Sequence, residues 1–390
     1  MSDVVSLTPA ALARDSRTLK QAVTVARLGH RSTVVEAKSS GDAFAGAPFT
    51  LRTLRSAGEA LADGDGPGPA AGPGWVERAT AALGRVAGPL YFLASWVAFN
   101  VMTWRRLPRA DAYWLHGYEQ ALAVWLTRTP YVYDAHDVYA ALPHDGRPLP
   151  WSQRATHRVR ARIERRCARR AAVCVTTSAA MARACEQRLG RPFTVIRNAQ
   201  DARLARPCAS DVRTAAGAAP GDFVVAMVGQ RKPGVVLTAV PDGVRLAFVG
   251  DGYDSAPAPA GVAFTGSVAP EEVAAFIATA DAAALLYVPV TANSSTQLVN
   301  GLFHAVAAGL PLLYPTGMDA IRELAEEHDL GVAVDPADPD SLAAGIAALR
   351  AALDRYRANV AAAAPRLDWA AEEPAVAATL ERALAAGRPR

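Results

Sequence analysis

Lysine is almost missing from this chain. Of 41 basic residues only Lys20, Lys38 and Lys232 are lysine, and with abundant alanine, glycine and proline this bias points to a GC-rich genome rather than to a function. Bulk charge is also scarce: the net charge is +4 over 390 residues, which gives no argument for nucleic acid as a partner. Cysteine is sparse. Cys167, Cys174, Cys185 and Cys208 form no Cys-x-x-Cys pair, so neither a disulfide frame nor a zinc site is expected, and reduced thiols of a cytoplasmic protein fit best. The N-terminus, MSDVVSLTP, lacks the basic and apolar regions of a signal peptide. No glycine-rich turn follows the first expected strand (SLTPAALARDSR), which counts against a dinucleotide-binding opening. One long apolar run is present, Val86 to Trp104, but Pro89 and Asn100 interrupt it. It reads as a buried or membrane-touching helix rather than a spanning one.

What is present is a soluble globular composition, 51% hydrophobic and 20% charged, at a length that suggests two domains or one large one. The most informative stretch is LLYVPVTANSSTQLVNGLFHAVAAGLPLLYPTG, Leu285 to Gly317. The apolar run AAALLYVPV reads as a buried strand, and Thr291 to Thr296 as a polar turn. QLVNGLFHAVAA has helical spacing, Gly309 sits where a left-handed C-cap belongs, and LPLLYP starts the next strand. Such a strand–loop–helix–strand unit places its loop at a helix N-terminus, where unpaired N–H groups favour an anion. A second cationic feature lies upstream. The strand DFVVAMVG leads into GQRKPG, a glycine-flanked turn from Gly229 that carries Arg231 and Lys232; a solvated turn is the bland alternative.

Other segments alternate strand and helix throughout. VVSLT, the helix from Ser16 to Leu28 and GHRSTVVEA form one strand–helix–strand unit, while ADAYWLHGYE and TPYVYDAHDVY are strands that end at His116 and at His136–Asp137. AVCVTT and FTVIRN read as further strands, and Asp63 and Asp65, flanked by Gly and Pro, as solvated carboxylates. RATHRVRARIERRCARRA reads as a helix with arginine around much of its surface. A solvated face is favoured over a membrane-surface or phosphate patch.

The Leu285–Gly317 stretch resembles the donor-binding signature of the retaining, nucleotide-sugar-dependent glycosyltransferases of family four. Asn300, Leu302, Phe303, Gly309, Leu310 and Pro311 match, whereas Gly301 stands for the usual Lys and His304 for the Glu that grips the ribose diol. The resemblance extends in order over nearly the whole chain, through Asp15, Arg17, Gly29 and His30, then His116, then Tyr133 to Asp137. It continues in the Gly266–Asp281 segment and in a final helix beginning at Trp369, and is weak across 40–108 and 140–155. It implies an α/β fold of two Rossmann-like domains facing a cleft (GT-B). Residues 1–200 would be the acceptor side, 201–365 the nucleotide-sugar domain, and 366–390 a helix returning to the first.

The implied activity is transfer, with retention, of a sugar from a UDP- or GDP-sugar to a small-molecule or glycan acceptor. No metal or cofactor, no nucleic acid and no favoured membrane contact is implied. The implied catalytic residues are His116, Arg231 and Lys232. Gly229, Arg231, Lys232, Thr296, Gln297, Leu298, Val299, Asn300 and His304 are the donor-binding candidates, with the N–H groups of Leu298 and Val299 on the phosphates. Asp15, Arg17, His136 and Asp137 are acceptor-side candidates. A binding protein that has lost catalysis, or a nucleotide-sugar 2-epimerase of the same architecture, remains open as an alternative.

Overall fold

The computed structural model describes residues 1–54, 74–136, 149–253, 257–291 and 294–387, with backbone only over 74–87. The chain divides into two compact units. One comprises Met1–Thr177, Met181–Ile196 and Glu373–Arg390; the other comprises Ser178–Ala180 and Arg197–Glu372. Asp63, Asp65 and Asp137 lie outside the described residues.

The first unit is built on seven parallel strands: β1 (Asp3–Thr8), β2 (Arg31–Glu36), β3 (Thr50–Thr53), β4 (Ala112–His116), β5 (Tyr131–Ala135), β6 (Val173–Thr176) and β7 (Thr194–Val195). Their order is β3-β2-β1-β4-β5-β6-β7. Helices α1 (Ser16–Arg27), α2 (Gly74–Arg106), α3 (Ala121–Thr127), α4 (Trp151–Arg170) and α5 (Ala179–Leu189) alternate with them. The central strands are buried on both faces, as parallel strands covered by crossover helices must be, which is why they read as continuous apolar runs rather than alternating ones. FTVIRN contributes only two residues to the sheet. Beyond Val195 the chain leaves the ladder, and the Ile196 carbonyl is taken by the Arg17 guanidinium at 2.6 Å.

The second unit has six parallel strands in the order β10-β9-β8-β11-β12-β13. These are β8 (Phe223–Val228), β9 (Val244–Val249), β10 (Val262–Gly266), β11 (Ala282–Ala284), β12 (Leu312–Pro315) and β13 (Gly331–Val334). Its helices are α6 (Val212–Ala215), α7 (Val273–Ile277), α8 (Asn300–Ala307), α9 (Asp319–Glu327), α10 (Pro339–Ala351) and α11 (Leu353–Ala363), followed by α12 (Trp369–Ala386). From Glu373 onward α12 belongs to the first unit, where the Glu373 carboxylate accepts from the Thr24 hydroxyl at 3.1 Å and pairs with Arg27. The two sheets and their crossover helices are the pair of Rossmann-like α/β layers expected from the sequence.

One expected strand is shorter than its apolar run. AAALLYVPV keeps its ladder only over Ala282–Ala284, although Leu285–Tyr287 stay buried. Past that point the backbone turns away to hold a neighbouring loop: Val236 N–H donates to Leu286 O at 2.9 Å and Val288 N–H to Gly234 O at 2.8 Å. Hydrophobicity registers burial but not hydrogen-bond partner, so the run alone does not reveal this exchange.

Candidate active site

In an open parallel sheet a ligand site forms beyond the carboxyl ends of the strands where the strand order reverses. In the second unit that point lies between β8 and β11. β8 ends at Val228 and leads into Gly229–Gly234, while the chain after β11 leads to α8, so the two cationic and anion-binding features of the sequence meet at one place in the sheet.

Three close approaches build it. A side chain at Gly229 would stand 2.5 Å from the Tyr287 hydroxyl, and one at Gly250 would collide with the Gly229 carbonyl. The turns after β8 and β9 therefore touch backbone to backbone, tied by Arg231 N–H to Asp251 O at 2.9 Å and Tyr253 Oη–H to Gly229 O at 3.0 Å. The third approach is at Gly301, whose Cβ would lie 2.6 Å from the Val228 carbonyl oxygen. This seats the first turn of α8 on the end of β8 and supplies the physical reason for glycine where the family pattern has lysine. Arg231 and Lys232 are exposed on the turn, with the Lys232 ammonium 5.5 Å from the Tyr287 ring centroid.

Thr296 closes a short 3₁₀ turn (Ser294–Thr296), Gln297 and Leu298 follow outside any helix or strand, and Val299, in extended backbone, is the N-cap residue of α8, with no side-chain cap. Asn300 and His304, four residues apart on one face of α8, are both engaged within this unit. Asn198 Nδ2–H donates to Asn300 Oδ1 at 2.9 Å, and the Gln200 amide nitrogen lies 3.2 Å from His304 Nε2. Because that amide nitrogen only donates, Nε2 accepts and the ring proton sits on Nδ1. His304 is 7% exposed.

In the first unit the order reverses between β1 and β4, and the carboxyl end of β4 is His116. There the structure gathers His116, His136 and Arg17 around Asp134, a carboxylate outside the candidate set, with Asp15 close enough to act on the His pair. Arg17 Nε reaches both Asp134 oxygens, at 3.1 and 2.9 Å, and the Trp114 indole N–H donates to Oδ2 at 3.1 Å. Burial by itself would raise the Asp134 carboxyl; the Arg17 guanidinium, helped by the two imidazoles, instead holds it below the ordinary value. Asp15 is kept ionised in the same way. Against burial, the charges of the His pair and the Thr18 hydrogen bonds bring it down to about 2, and its Oδ2 accepts from the hydroxyls of Thr8 and Thr18.

Burial pushes His116 down to about 4, so the ring is neutral near pH 7. Its Nε2 faces Gln21 Oε1 at a long 3.5 Å, and its Nδ1 faces His136 Nε2 at 3.1 Å. His116 is 2% exposed whereas the His136 side chain is 30% exposed, so His136 is the accessible ring of the pair. Arg17 Nη2 and Gln21 Nε2 are buried donors without a partner among the described residues.

His116, Asp134 and His136 also bring their ligand atoms within 4.8 Å of one another, a grouping the sequence reading did not anticipate. The donor set fits a metal ion poorly. Asp134 is already neutralised by Arg17, and the two ring nitrogens that would bind the ion are hydrogen-bonded to each other. Asp134 was legible in principle, as a charged residue inside a strand buried on both faces, and Gln21 as the helical i+4 neighbour of Arg17.

Residues 15–199 match the glycosyl transferase 4-like domain, and residues 232–351 match the glycosyl transferases group 1 family. No curated protein sequence matches the chain. Among solved structures, HepE from Anabaena, crystallised with UDP and glucose, superposes with a TM-score of 0.62 at 18% identity, covering 98% of this chain and 100% of that one. Sucrose-phosphate synthase from Thermosynechococcus elongatus gives 0.62 at 13%, covering 98% and 99%. The α,α-trehalose 6-phosphate synthase of Burkholderia multivorans gives 0.59 at 14%, covering all of both chains. Identities this low establish the fold alone, but the two family matches together span most of the chain: it belongs to the family-four-like glycosyltransferases of the GT-B fold.

Proposed function

We propose that the chain is a retaining glycosyltransferase that moves a sugar from a UDP- or GDP-sugar to a small-molecule or glycan acceptor, without a metal. The observation that carries this reading is the meeting of the Arg231–Lys232 turn with the first turn of α8 at the carboxyl end of β8. As the bond from the anomeric carbon to the diphosphate breaks, negative charge builds on the leaving oxygens. Fixed cations and preorganised N–H donors stabilise that charge. Arg231 and Lys232 supply the cations, and the N–H groups of Leu298 and Val299, with the Thr296 hydroxyl beside them, supply the donors; Gly229, Gln297 and Asn300 shape the same site. The acceptor oxygen bonds the anomeric carbon on the face the diphosphate leaves, and its proton passes to a diphosphate oxygen. His116 is the candidate contact to the donor sugar, its Nε2 exchanging the long 3.5 Å approach to Gln21 Oε1 for a sugar hydroxyl. Its neutral ring supports that role as a hydrogen-bond partner rather than as an acid. Asp15 and Arg17 act by positioning the His pair, and His136 is the group offered on the acceptor side. HepE holds UDP, which makes UDP-sugars the first donors to try.

The test is a panel of UDP-, GDP- and dTDP-sugars assayed for transfer, for slow hydrolysis and for nucleotide binding, with the anomeric configuration of the product read by NMR and a chelator-treated sample in parallel. Arg231→Ala and Lys232→Ala each lower kcat/KM by about 30- to 1000-fold, the loss of about 2–4 kcal/mol of charge stabilisation. Unchanged turnover in both variants removes this turn from the diphosphate. A second reading, a nucleotide-sugar-binding protein without catalysis, draws on Gly301 and His304 standing where the family pattern has Lys and Glu. Tight nucleotide binding with neither hydrolysis nor transfer across the panel would select it.

A further inference from the structure

Helix α2 is apolar on the wrong side. From Val86 to Trp104 it carries no charged residue. Its inner face packs Phe92, Trp96 and Phe99 on the core of the first unit, and Asn100 fixes the rotation. The Asn100 amide donates to Trp96 O and Glu119 O, both at 2.8 Å, and accepts from Ala123 N–H at 2.9 Å. The opposite face therefore points outward, and its large side chains are Leu90, Tyr91, Leu93, Val97 and Trp104, with Leu90 and Tyr91 more than 70% exposed. A helix on the surface of a domain normally turns charge to water. Here the outward stripe runs about 21 Å, at 1.5 Å per residue, before Arg105 and Arg106 end it.

Beside α2 lies α4. The Arg160 guanidinium sits 4.8 Å from the Phe92 ring centroid, and the Ile163 and Cys167 side chains of α4 share the core on which α2 packs, so both helices cover one side of the sheet. Helix α4 carries eight arginines, Arg154, Arg158 and Arg162 among those exposed, and one acidic residue, Glu164, which is buried and accepts from the Tyr133 hydroxyl. An apolar stripe with aromatic ends beside a row of arginines matches the interfacial layer of a membrane. The arginines also argue against a second copy of the chain, because a two-fold contact through this face would bring one arginine row towards the other. Among the described residues no helix is long and apolar enough to cross a bilayer.

We propose that the outward face of α2, flanked by the arginines of α4, docks the first unit on an anionic lipid bilayer and lies in the headgroup plane without crossing it. The solvated arginine face favoured on sequence grounds changes meaning once it adjoins an exposed apolar stripe. The docking is independent of the sugar-transfer reading. The test is co-flotation of the full chain with vesicles of phosphatidylcholine alone and of phosphatidylcholine mixed with phosphatidylglycerol. Wild type should bind the mixed vesicles, far less the neutral ones, and less as salt rises. Leu93→Asp/Val97→Asp should weaken binding by about tenfold or more. Arg154→Gln/Arg158→Gln/Arg162→Gln should weaken it on the order of 100-fold and flatten the salt dependence, at about 1 kcal/mol per arginine. All five positions are exposed, and an unchanged circular dichroism spectrum checks the fold. Absence of binding to anionic vesicles overturns the proposal, as does equal binding by the variants. So does self-association in sedimentation velocity that Leu93→Asp/Val97→Asp abolishes, which would assign the face to a second copy.

Discussion

Replacing Gly301 by alanine sets two effects of opposite sign against each other. Gly301 lies in the first turn of α8 and has no left-handed backbone requirement, so helix propensity alone makes alanine better by about 1 kcal/mol. The new Cβ, however, would stand 2.6 Å from the Val228 carbonyl oxygen. That neighbour is backbone at the end of a central strand, held between β9 and β11, and cannot swing aside as a side chain would. Overpacking of this kind costs about 1–3 kcal/mol. The clash outweighs the propensity gain over most of that range, giving a net loss of up to about 2 kcal/mol, which for a unit of this size lowers Tm by roughly 2–8 °C. The seat of α8 moves with it, so nucleoside diphosphate affinity should fall in the same variant. Differential scanning fluorimetry with isothermal titration calorimetry reads both. A Gly301→Ala protein more stable than wild type, with unaltered affinity, would show that α8 does not sit against β8 as described, and the family's lysine would then fit there without penalty.

The His116 ring makes stability depend on pH in a calculable direction. Its value is about 4 folded against 6.5 ordinarily, so between those limits the unfolded chain binds more protons; stability is complete above pH 6.5 and falls, by up to about 3 kcal/mol, as pH drops towards 4. His116→Gln should flatten urea-denaturation stability over that window, and a variant with the wild-type slope would refute the burial argument. Below about pH 3.8 the Asp15 carboxyl, held at about 2, adds a further loss, which Asp15→Asn should remove from the acid limb of the same profile. For His304→Glu, a carboxylate accepts from two hydroxyls where the imidazole offers one acceptor, so UDP or GDP should bind about tenfold or more tightly if the ribose reaches this face of α8. Equal affinity by calorimetry would place the ribose elsewhere.

Much of the fold follows from local pattern, because parallel strands buried on both faces announce themselves as apolar runs and their crossover helices by period. VVSLT, AYWLH and VRLAFV are examples. The turn carrying Arg231 and Lys232 was legible for the same reason, since glycine at both ends of a short polar segment after a strand leaves little else it can be. What escaped depends on contacts distant in sequence. The orientation of α2 has no signature, since a helix apolar all round shows no preferred face; Asn100 and its bonds to Glu119 and Ala123 decide it. Asp134 lay inside a quoted segment, but its meaning comes from Arg17, 117 residues earlier. Likewise, the shortening of β11 comes from the loop at Gly234–Val236, which takes over the backbone groups of Leu286 and Val288.

The two departures from the family pattern at α8 have different physical standing. Gly301 is dictated by space: any side chain there meets the Val228 carbonyl, so the lysine of the pattern and the present packing exclude each other. His304 is dictated by a partner. The segment Asn198–Gln200 runs beside α8, and its alternate side chains form two rungs, Asn198 to Asn300 and Gln200 to His304, on positions four apart in the helix. A glutamate at 304 would still accept from the Gln200 amide, but it would do so as a buried anion, and burying a charge is unfavourable unless it is paired. A neutral imidazole accepts the same hydrogen bond without that penalty. The Gln200–His304 pair therefore behaves as a unit, and the second substitution reads as a consequence of which residue lies opposite it, not as decay of the site. On the proposed reading, a donor ribose at this face of α8 would meet an imidazole rather than a carboxylate at 304, and the exposed Arg231–Lys232 turn would carry a correspondingly larger share of the charge that meets the donor.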